Sequence, residues 1–202
     1  MATAGIIGAL RRFWGRGVYP SALSFWLDFP LRRFILSPRE LAGRLHLQDS
    51  FRVLEIGPGP GYFSVEVARG LSRGELVLLD LQRQMLQKAR RKCAAAKLHN
   101  VSFLSGDGAL LPFRDHSFDV VFLVAVLGEI PFPGRCLQEI YRVLQPSGIL
   151  SITEQPGDPD FLSFPDLCNL AGEEHFEFVE KYGSGKNYTA NFRKDLPDIG
   201  LK

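Results

Sequence analysis

The chain has 202 residues, 46% of them hydrophobic and 23% charged, with a formal net charge of +2 at neutral pH. That describes about one globular domain with enough apolar material for a core, and too little charge to imply a nucleic-acid partner. No apolar run approaches the roughly 18–20 residues of a membrane span, and the three scattered cysteines, Cys93, Cys136 and Cys168, argue against both a zinc site and a secreted disulfide framework.

The first 17 residues combine Ile6, Ile7, Leu10, Phe13 and Trp14 with Arg11, Arg12 and Arg16. A secretory signal is excluded because the apolar part is short and precedes the charge. Three readings stay open: a basic amphipathic helix on a membrane surface, a mitochondrial-type targeting segment that lacks serine, and a helix covering the core. Up to Arg44 the arginines outnumber the acids by five, and Trp14, Tyr19, Phe25, Trp26, Phe29 and Phe34 crowd the same stretch. Ser37-Pro38 opens a helix carrying Leu41 and Leu45. Residues 1–47 therefore read as an N-terminal helical cap, and 48–202 as the main domain.

Val53, Leu54 and Ile56 form a short apolar run of the kind a parallel strand buries on both faces. It ends in Gly57, Gly59 and Gly61, and Val65, Ala68 and Leu71 follow at helical spacing. Strand, glycine turn, helix opens a nucleotide-binding unit, because glycines turn tightly and let a ligand approach. A dinucleotide site wants Gly-x-Gly-x-x-Gly, and Tyr62 stands where its third glycine belongs. Glu75 to Asp80 is the second strand, and Asp80 stands where nucleotide sites place a carboxylate on ribose hydroxyls. The competing role for Asp80 is to cap the next helix. That helix, Gln82 to Lys97, has Met85, Leu86, Ala89 and Cys93 on its inner face.

Val101 to Leu104 is a third strand, leading to Gly106-Asp107-Gly108-Ala109 and Leu111-Pro112-Phe113. Ser117-Phe118-Asp119 enters a fourth strand, Cys136 to Leu144 is a helix, and Arg142-Val143-Leu144-Gln145-Pro146-Ser147-Gly148 turns into a fifth strand. Phe176–Glu180 and Tyr188–Phe192 form a terminal hairpin, joined by Lys181 to Asn187.

Taken together, Glu55-x-Gly-x-Gly-x-Gly61, Asp80, Gly106-Asp107-Gly108, Ser117-Phe118-Asp119 and the Arg142–Gly148 turn resemble the class I S-adenosylmethionine-dependent methyltransferases. The small-molecule type, which includes quinone C-methyltransferases, is the nearest subgroup. The resemblance covers about half the chain. It implies an α/β, Rossmann-like three-layer sandwich with a seven-stranded, mostly parallel sheet of order 3-2-1-4-5-7-6, strand 7 antiparallel. It also implies S-adenosylmethionine as cofactor. Glu55 would anchor its methionine end, Gly57, Gly59 and Gly61 would pass under the sugar, and Asp80 would hold the ribose. Asp107 would read the adenine between Gly106 and Gly108, with Leu81, Met85 and Val124 among the remaining contacts. The cap would close over the cofactor, with Val18 to Leu45 forming one wall of the acceptor site and the Gln155–Phe164 loop another.

Methyl transfer from a sulfonium is an in-line displacement, so the protein chiefly positions a nucleophile and excludes water. A base is needed only where the nucleophile carries a proton. The carboxyl ends of strands four and five, where open α/β sheets bind ligands, offer Glu129 and Glu154. His116 lies before strand four and reads as a solvated turn residue. Leu127-Gly128-Glu129-Ile130-Pro131-Phe132 is neither the Asn/Asp-Pro-Pro-aromatic motif of base methylation nor a nucleophilic cysteine site, which disfavours nucleic acid. The expected function is transfer of a methyl group to a small, apolar or lipid-like acceptor in an intracellular, cytoplasmic protein. Peripheral membrane or organelle association through the basic N-terminus stays open, and no metal is expected. The alternatives are a cofactor-binding protein without turnover, acting as a partner or assembly factor, and, disfavoured by Tyr62, a nicotinamide-dependent oxidoreductase.

Overall fold

The computed structural model describes residues 36–195. The first 35 residues of the expected cap, with most of the proposed acceptor wall, lie outside the described residues. Its remaining part is helix α1 (Pro38–Arg44), opened by Ser37, whose side chain accepts from the Glu40 amide. An acceptor there satisfies one of the N–H groups that a helix start leaves without a partner. Leu36, Leu41 and Leu45 are buried in the same core cluster as Val53, Val67 and Leu76. This part of the cap is therefore packed as core.

The chain then alternates strand and helix: β1 (Arg52–Ile56), α2 (Ser64–Arg69), β2 (Glu75–Asp80), α3 (Arg83–Ala95), β3 (Val101–Ser105), β4 (Phe118–Val124), α4 (Pro133–Val143), β5 (Leu144–Glu154), α5 (Phe164–Glu173), β6 (Phe176–Ser184) and β7 (Asn187–Lys194). The sheet order is β3-β2-β1-β4-β5-β7-β6, and only β7 runs antiparallel to its neighbours. This is the expected topology. Period-two alternation divides the core between the two faces. Leu76, Leu78, Val120 and Phe122 pack with α1–α3, whereas Val77, Leu79, Val121 and Leu123 pack with residues of α4 and α5.

Three boundaries differ from the sequence reading. Helix α4 starts three residues early, at Pro133, whose fixed φ suits a first helical turn. Leu144 leaves the helix to pair with Phe118 as the start of β5. The hairpin strands run through most of the expected connection, pairing Tyr182 with Thr189 and Ser184 with Asn187, which leaves only Gly185 and Lys186 between them. Gly183 (φ 79) and Gly185 (φ 57) supply the left-handed residues such a tight reversal needs.

No helix forms between β3 and β4. Residues 106–117 are held instead by Arg142 of α4, whose guanidinium donates to the Leu111 and Phe113 carbonyls at 2.9 and 2.7 Å and to Asp115 at 2.9 Å. Glu139, which pairs with Arg142, accepts from the Leu111 amide at 2.8 Å.

Candidate functional site

Parallel register brings the carboxyl ends of the inner strands to one level. Ile56 lies beside Leu79 and Leu123, Asp80 beside Ser105, and Val124 beside Thr153. Every expected site residue sits at this end of the sheet or on the chain leaving it. A cavity of about 310 Å³ lined by His46, Ile149, Val179, Glu180, Asn191, Phe192 and Arg193 lies along β5–β7–β6 and contains none of them.

The glycine turn after β1 has three left-handed residues, Gly57 (φ 69), Gly59 (φ 53) and Gly61 (φ 77), and they do different work. A Cβ on Gly57 would stand 2.6 Å from a Val126 methyl, and one on Gly61 would stand 2.9 Å from the Ala89 Cβ of α3. Those two glycines let protein close on protein. Gly59 remains half-exposed, and its N–H donates to Asp80 Oδ2 at 3.3 Å.

Asp80 ends β2, 8% exposed, and its other oxygen accepts from the Gln82 amide at 2.8 Å. Gln82 is itself the residue that begins α3, and no side chain caps that end; Asp80 instead closes a tight turn over Leu81 and ties the glycine turn to β2. Burial raises its pKa, and the amides of Gln82 and Gly59 oppose that rise. An ionised carboxylate has about four lone-pair directions, so two backbone donors leave room for the two hydroxyls of a ribose. Leu81, next in sequence, stands 57% exposed, whereas Met85 is buried on the inner face of α3.

Gly106 donates its N–H to the Asp80 carbonyl at 3.2 Å, which docks the post-β3 turn against β2. Asp107 is exposed, and its side chain accepts from the Ala109 amide at 2.8 Å. Gly108 is buried, and a Cβ there would meet an Ile56 methyl at 3.2 Å. Val124 closes β4 at 7% exposure. Glu55 is also buried, and its Oε2 accepts from the Ser64 hydroxyl at 2.5 Å, which joins β1 to the start of α2.

The two candidate proton acceptors lie farther along the sheet. Glu129 ends a 3₁₀ turn (Leu127–Glu129) and is half-buried. Glu154, the last residue of β5, is 0% exposed. Leu162 N–H donates to its Oε2 at 3.4 Å, and Oε1 has no hydrogen-bond partner. Burial, then the charges of Asp158 and Glu129, push this carboxyl up to about 8. His116, at φ 53 and exposed, is the turn residue expected, with Nδ1 3.0 Å from the Leu144 carbonyl. Among the described residues, no group of three or more His, Cys, Asp or Glu could hold a metal.

Several residues that build the site carry no sequence signal of their own. Ala125, left-handed at φ 54, donates to the Thr153 carbonyl at 2.8 Å and turns the chain so that Val126 covers Gly57. Gly128 lies so close to Asp160 that a Cβ would overlap the Asp160 carbonyl oxygen. Tyr188 of β7 donates its hydroxyl to the Leu162 carbonyl at 2.8 Å. Residues 155–162 are thereby strapped across the ends of β4 and β5.

Residues 47–173 match a family model described as a methyltransferase domain. A demethylmenaquinone methyltransferase of Listeria monocytogenes is 34% identical over 142 residues, covering 69% of this chain and 57% of its own length. A ubiquinone/menaquinone biosynthesis C-methyltransferase of a Ruegeria species is 32% identical over 104 residues, covering 51% of this chain and 42% of its own. The chain thus spans less than three fifths of the length of these relatives. A crystal structure titled as a SAM dependent methyltransferase from Aquifex aeolicus superposes with a TM-score of 0.80 at 20% identity, covering 87% of this chain and 98% of that one. At that identity the likeness concerns the fold.

Proposed function

Since this chain belongs to the methyltransferase-domain family, we propose that it transfers the methyl group of S-adenosylmethionine to a quinone-type small molecule. The observation that carries the reading is the Gly59–Asp80 pair, a half-exposed left-handed glycine tied to a buried carboxylate with acceptor capacity to spare. That arrangement fits a nucleoside sugar without offering a pyrophosphate cradle. Bound there, S-adenosylmethionine supplies an electrophilic methyl group on a sulfonium.

The chain's own residues bind, orient and exclude water. Asp80 accepts from the ribose hydroxyls, Leu81 offers an apolar face to the adenine, and Asp107 receives its amino group. Glu55, braced by Ser64, sits under the turn that the methionine end must cross. Val124 and the Gly57–Val126 contact wall the route to β4. The acceptor comes to the ends of β4 and β5, where Glu129 and Glu154 offer carboxylates for a proton. The names of the relatives support a quinone-type acceptor, and the aromatic rings of Phe161, Phe164 and Tyr188 at this end suit a flat apolar molecule.

Calorimetric titration of the full chain with S-adenosylhomocysteine and with NAD tests the cofactor half of the reading. Saturable binding of the first and none of the second is expected, and the reverse would refute it. Transfer of tritiated methyl to 1,4-dihydroxynaphthalene tests the acceptor half, and absence of labelled product with bound cofactor would refute a quinone-type acceptor.

A further inference from the structure

Among the described residues, the Glu154 side chain accepts a single hydrogen bond, from the Leu162 amide. Its side chain lies on the same sheet face as Leu150 and Ile152 and is fully buried. The neighbouring hydroxyl, Tyr188 O–H, is turned to the Leu162 carbonyl. The ionisable groups around it are Glu129 on the exit of β4, Asp158 on the strap, and Tyr188 on β7. The nearby cation on β6, Lys181, stacks its ammonium over the Phe164 ring at 4.2 Å and over the Tyr188 ring at 5.4 Å. Among the described residues Glu154 thus pairs with no cation, and one of its oxygens, Oε1, accepts nothing. A buried polar atom without a partner costs stability. A leucine or glutamine would fill the same space without burying a charge.

We propose that Glu154 is the proton acceptor of the reaction and that the methyl acceptor carries an ionisable ring hydroxyl which docks on Oε1. The inference rests on the methyl-transfer reading above. The hydroxyl gives its proton to Oε1, and the electron pair left on oxygen is delivered through the ring to the adjacent carbon. That carbon bonds to the methyl group while the carbon–sulfur bond breaks, its pair staying on sulfur. The methylated carbon then loses its hydrogen as a proton to Glu129 and on to solvent, and Glu154 returns its proton to the ring oxygen. One proton is released per methyl group transferred, and Glu154 ends as it began.

The elevated pKa of Glu154, about 8, lies within roughly two units of a phenol, which is near 10. Proton transfer between them is only slightly uphill, the condition that favours general-base catalysis. The roof over the carboxyl is the strap 155–162, held by the long Leu162–Glu154 bond, the Tyr188–Leu162 bond and the Gly128–Asp160 contact. Pro156 and Gly157 at its crown are exposed. The acceptor reaches Oε1 by lifting this strap, which afterwards keeps water from the transferred proton.

The test uses the full chain loaded with S-adenosylhomocysteine and two probes of nearly one shape, 1-naphthol and 1-methylnaphthalene. Wild-type protein is expected to bind the naphthol at least tenfold more tightly, and Glu154→Leu to lose that preference while keeping its affinity for S-adenosylhomocysteine. With 1,4-dihydroxynaphthalene as methyl acceptor, wild-type kcat should rise with pH to a plateau above about pH 8. Glu154→Gln should remove that rise and lower kcat by about 10²- to 10⁴-fold. Equal affinity of wild-type protein for the two probes, or no binding of either, overturns the assignment of Glu154 and leaves the cofactor reading standing. Failure of wild-type protein to bind S-adenosylhomocysteine overturns the methyl-transfer reading, and this inference with it.

Discussion

The stability of Glu154→Gln relative to wild type should climb as the pH rises, from parity or a deficit at pH 5 to a gain at pH 8. The carboxyl titrates at about 8 in the fold against 4.5 in the unfolded chain. Folding raises this pKa, so the stability linked to it is fully present below pH 4.5 and is lost as pH climbs through 8. One pKa unit is worth about 1.4 kcal/mol, so the native state gives up about 1 kcal/mol by pH 5 and about 4 kcal/mol by pH 8. Glutamine has the same shape and does not ionise. Its amide will lose about 1–3 kcal/mol for an unsatisfied donor, but that loss is constant with pH. The difference in unfolding free energy between variant and wild type should therefore grow by about 3 kcal/mol from pH 5 to pH 8. Titrating groups away from Glu154 cancel in this difference, and only its neighbours Glu129, Asp158 and Tyr188 can add to it. Urea unfolding of both proteins at pH 5, 6, 7 and 8, followed by circular dichroism, measures it directly. Parallel pH profiles would show that Glu154 is solvated in solution, and would remove the physical basis for its role as a proton acceptor.

Three other outcomes follow from the site. Asp80→Ala should weaken S-adenosylhomocysteine binding by about 1.5–3 kcal/mol, the scale of hydrogen bonds to a charged group, and calorimetry showing unchanged affinity would leave Asp80 as a tie between β2 and the glycine turn alone. Gly128→Ala should lower thermal stability by about 1–3 kcal/mol, because its methyl group overlaps the Asp160 carbonyl; an unchanged melting temperature would mean that the strap is not seated on Gly128. Deleting residues 1–17 should leave cofactor affinity within about 0.5 kcal/mol, and should abolish salt-sensitive binding to anionic vesicles if those arginines serve a membrane. Lost cofactor affinity would assign that tail to the lid.

Much of this architecture was legible because local chemistry and tertiary structure agree. Leu76–Leu79 is an unbroken apolar run, as a strand covered on both faces must be, and both it and the shorter run at Val101–Leu104 form strands with almost the expected bounds. Helix α3 buries Met85, Leu86, Ala89 and Cys93, the four residues its spacing selects. Gly57, Gly59 and Gly61 mark the turn, but their separate duties were hidden. Those depend on Val126 and Ala89, which lie 69 and 28 positions beyond the glycines they meet. The strap was hidden for the same reason. Gln155–Phe164 reads as a loop walling the acceptor, but its closure depends on contacts of Asp160 and Leu162 with Gly128 and Tyr188, which come from two other parts of the chain. Glu154 was visible as a carboxylate at a strand end, but its burial was not, because the strand that covers it comes later in the chain.

That order has a consequence for how the protein is made. β7 lies between β5 and β6 although it follows both in sequence. While the ribosome is still working, β5 has an open hydrogen-bonding edge, and β6 has no place to dock. An unpaired strand edge is a template for pairing with other chains, and long-range pairing is the slow part of folding. Only when Asn187–Lys194 emerges can Thr189 and Tyr188 align beside Thr153 and Glu154. The nucleotide half of the site, built from β1 to β4, can assemble on a nascent chain. The half that receives the acceptor is finished last, so a nascent chain can acquire a cofactor site well before it can carry out the reaction.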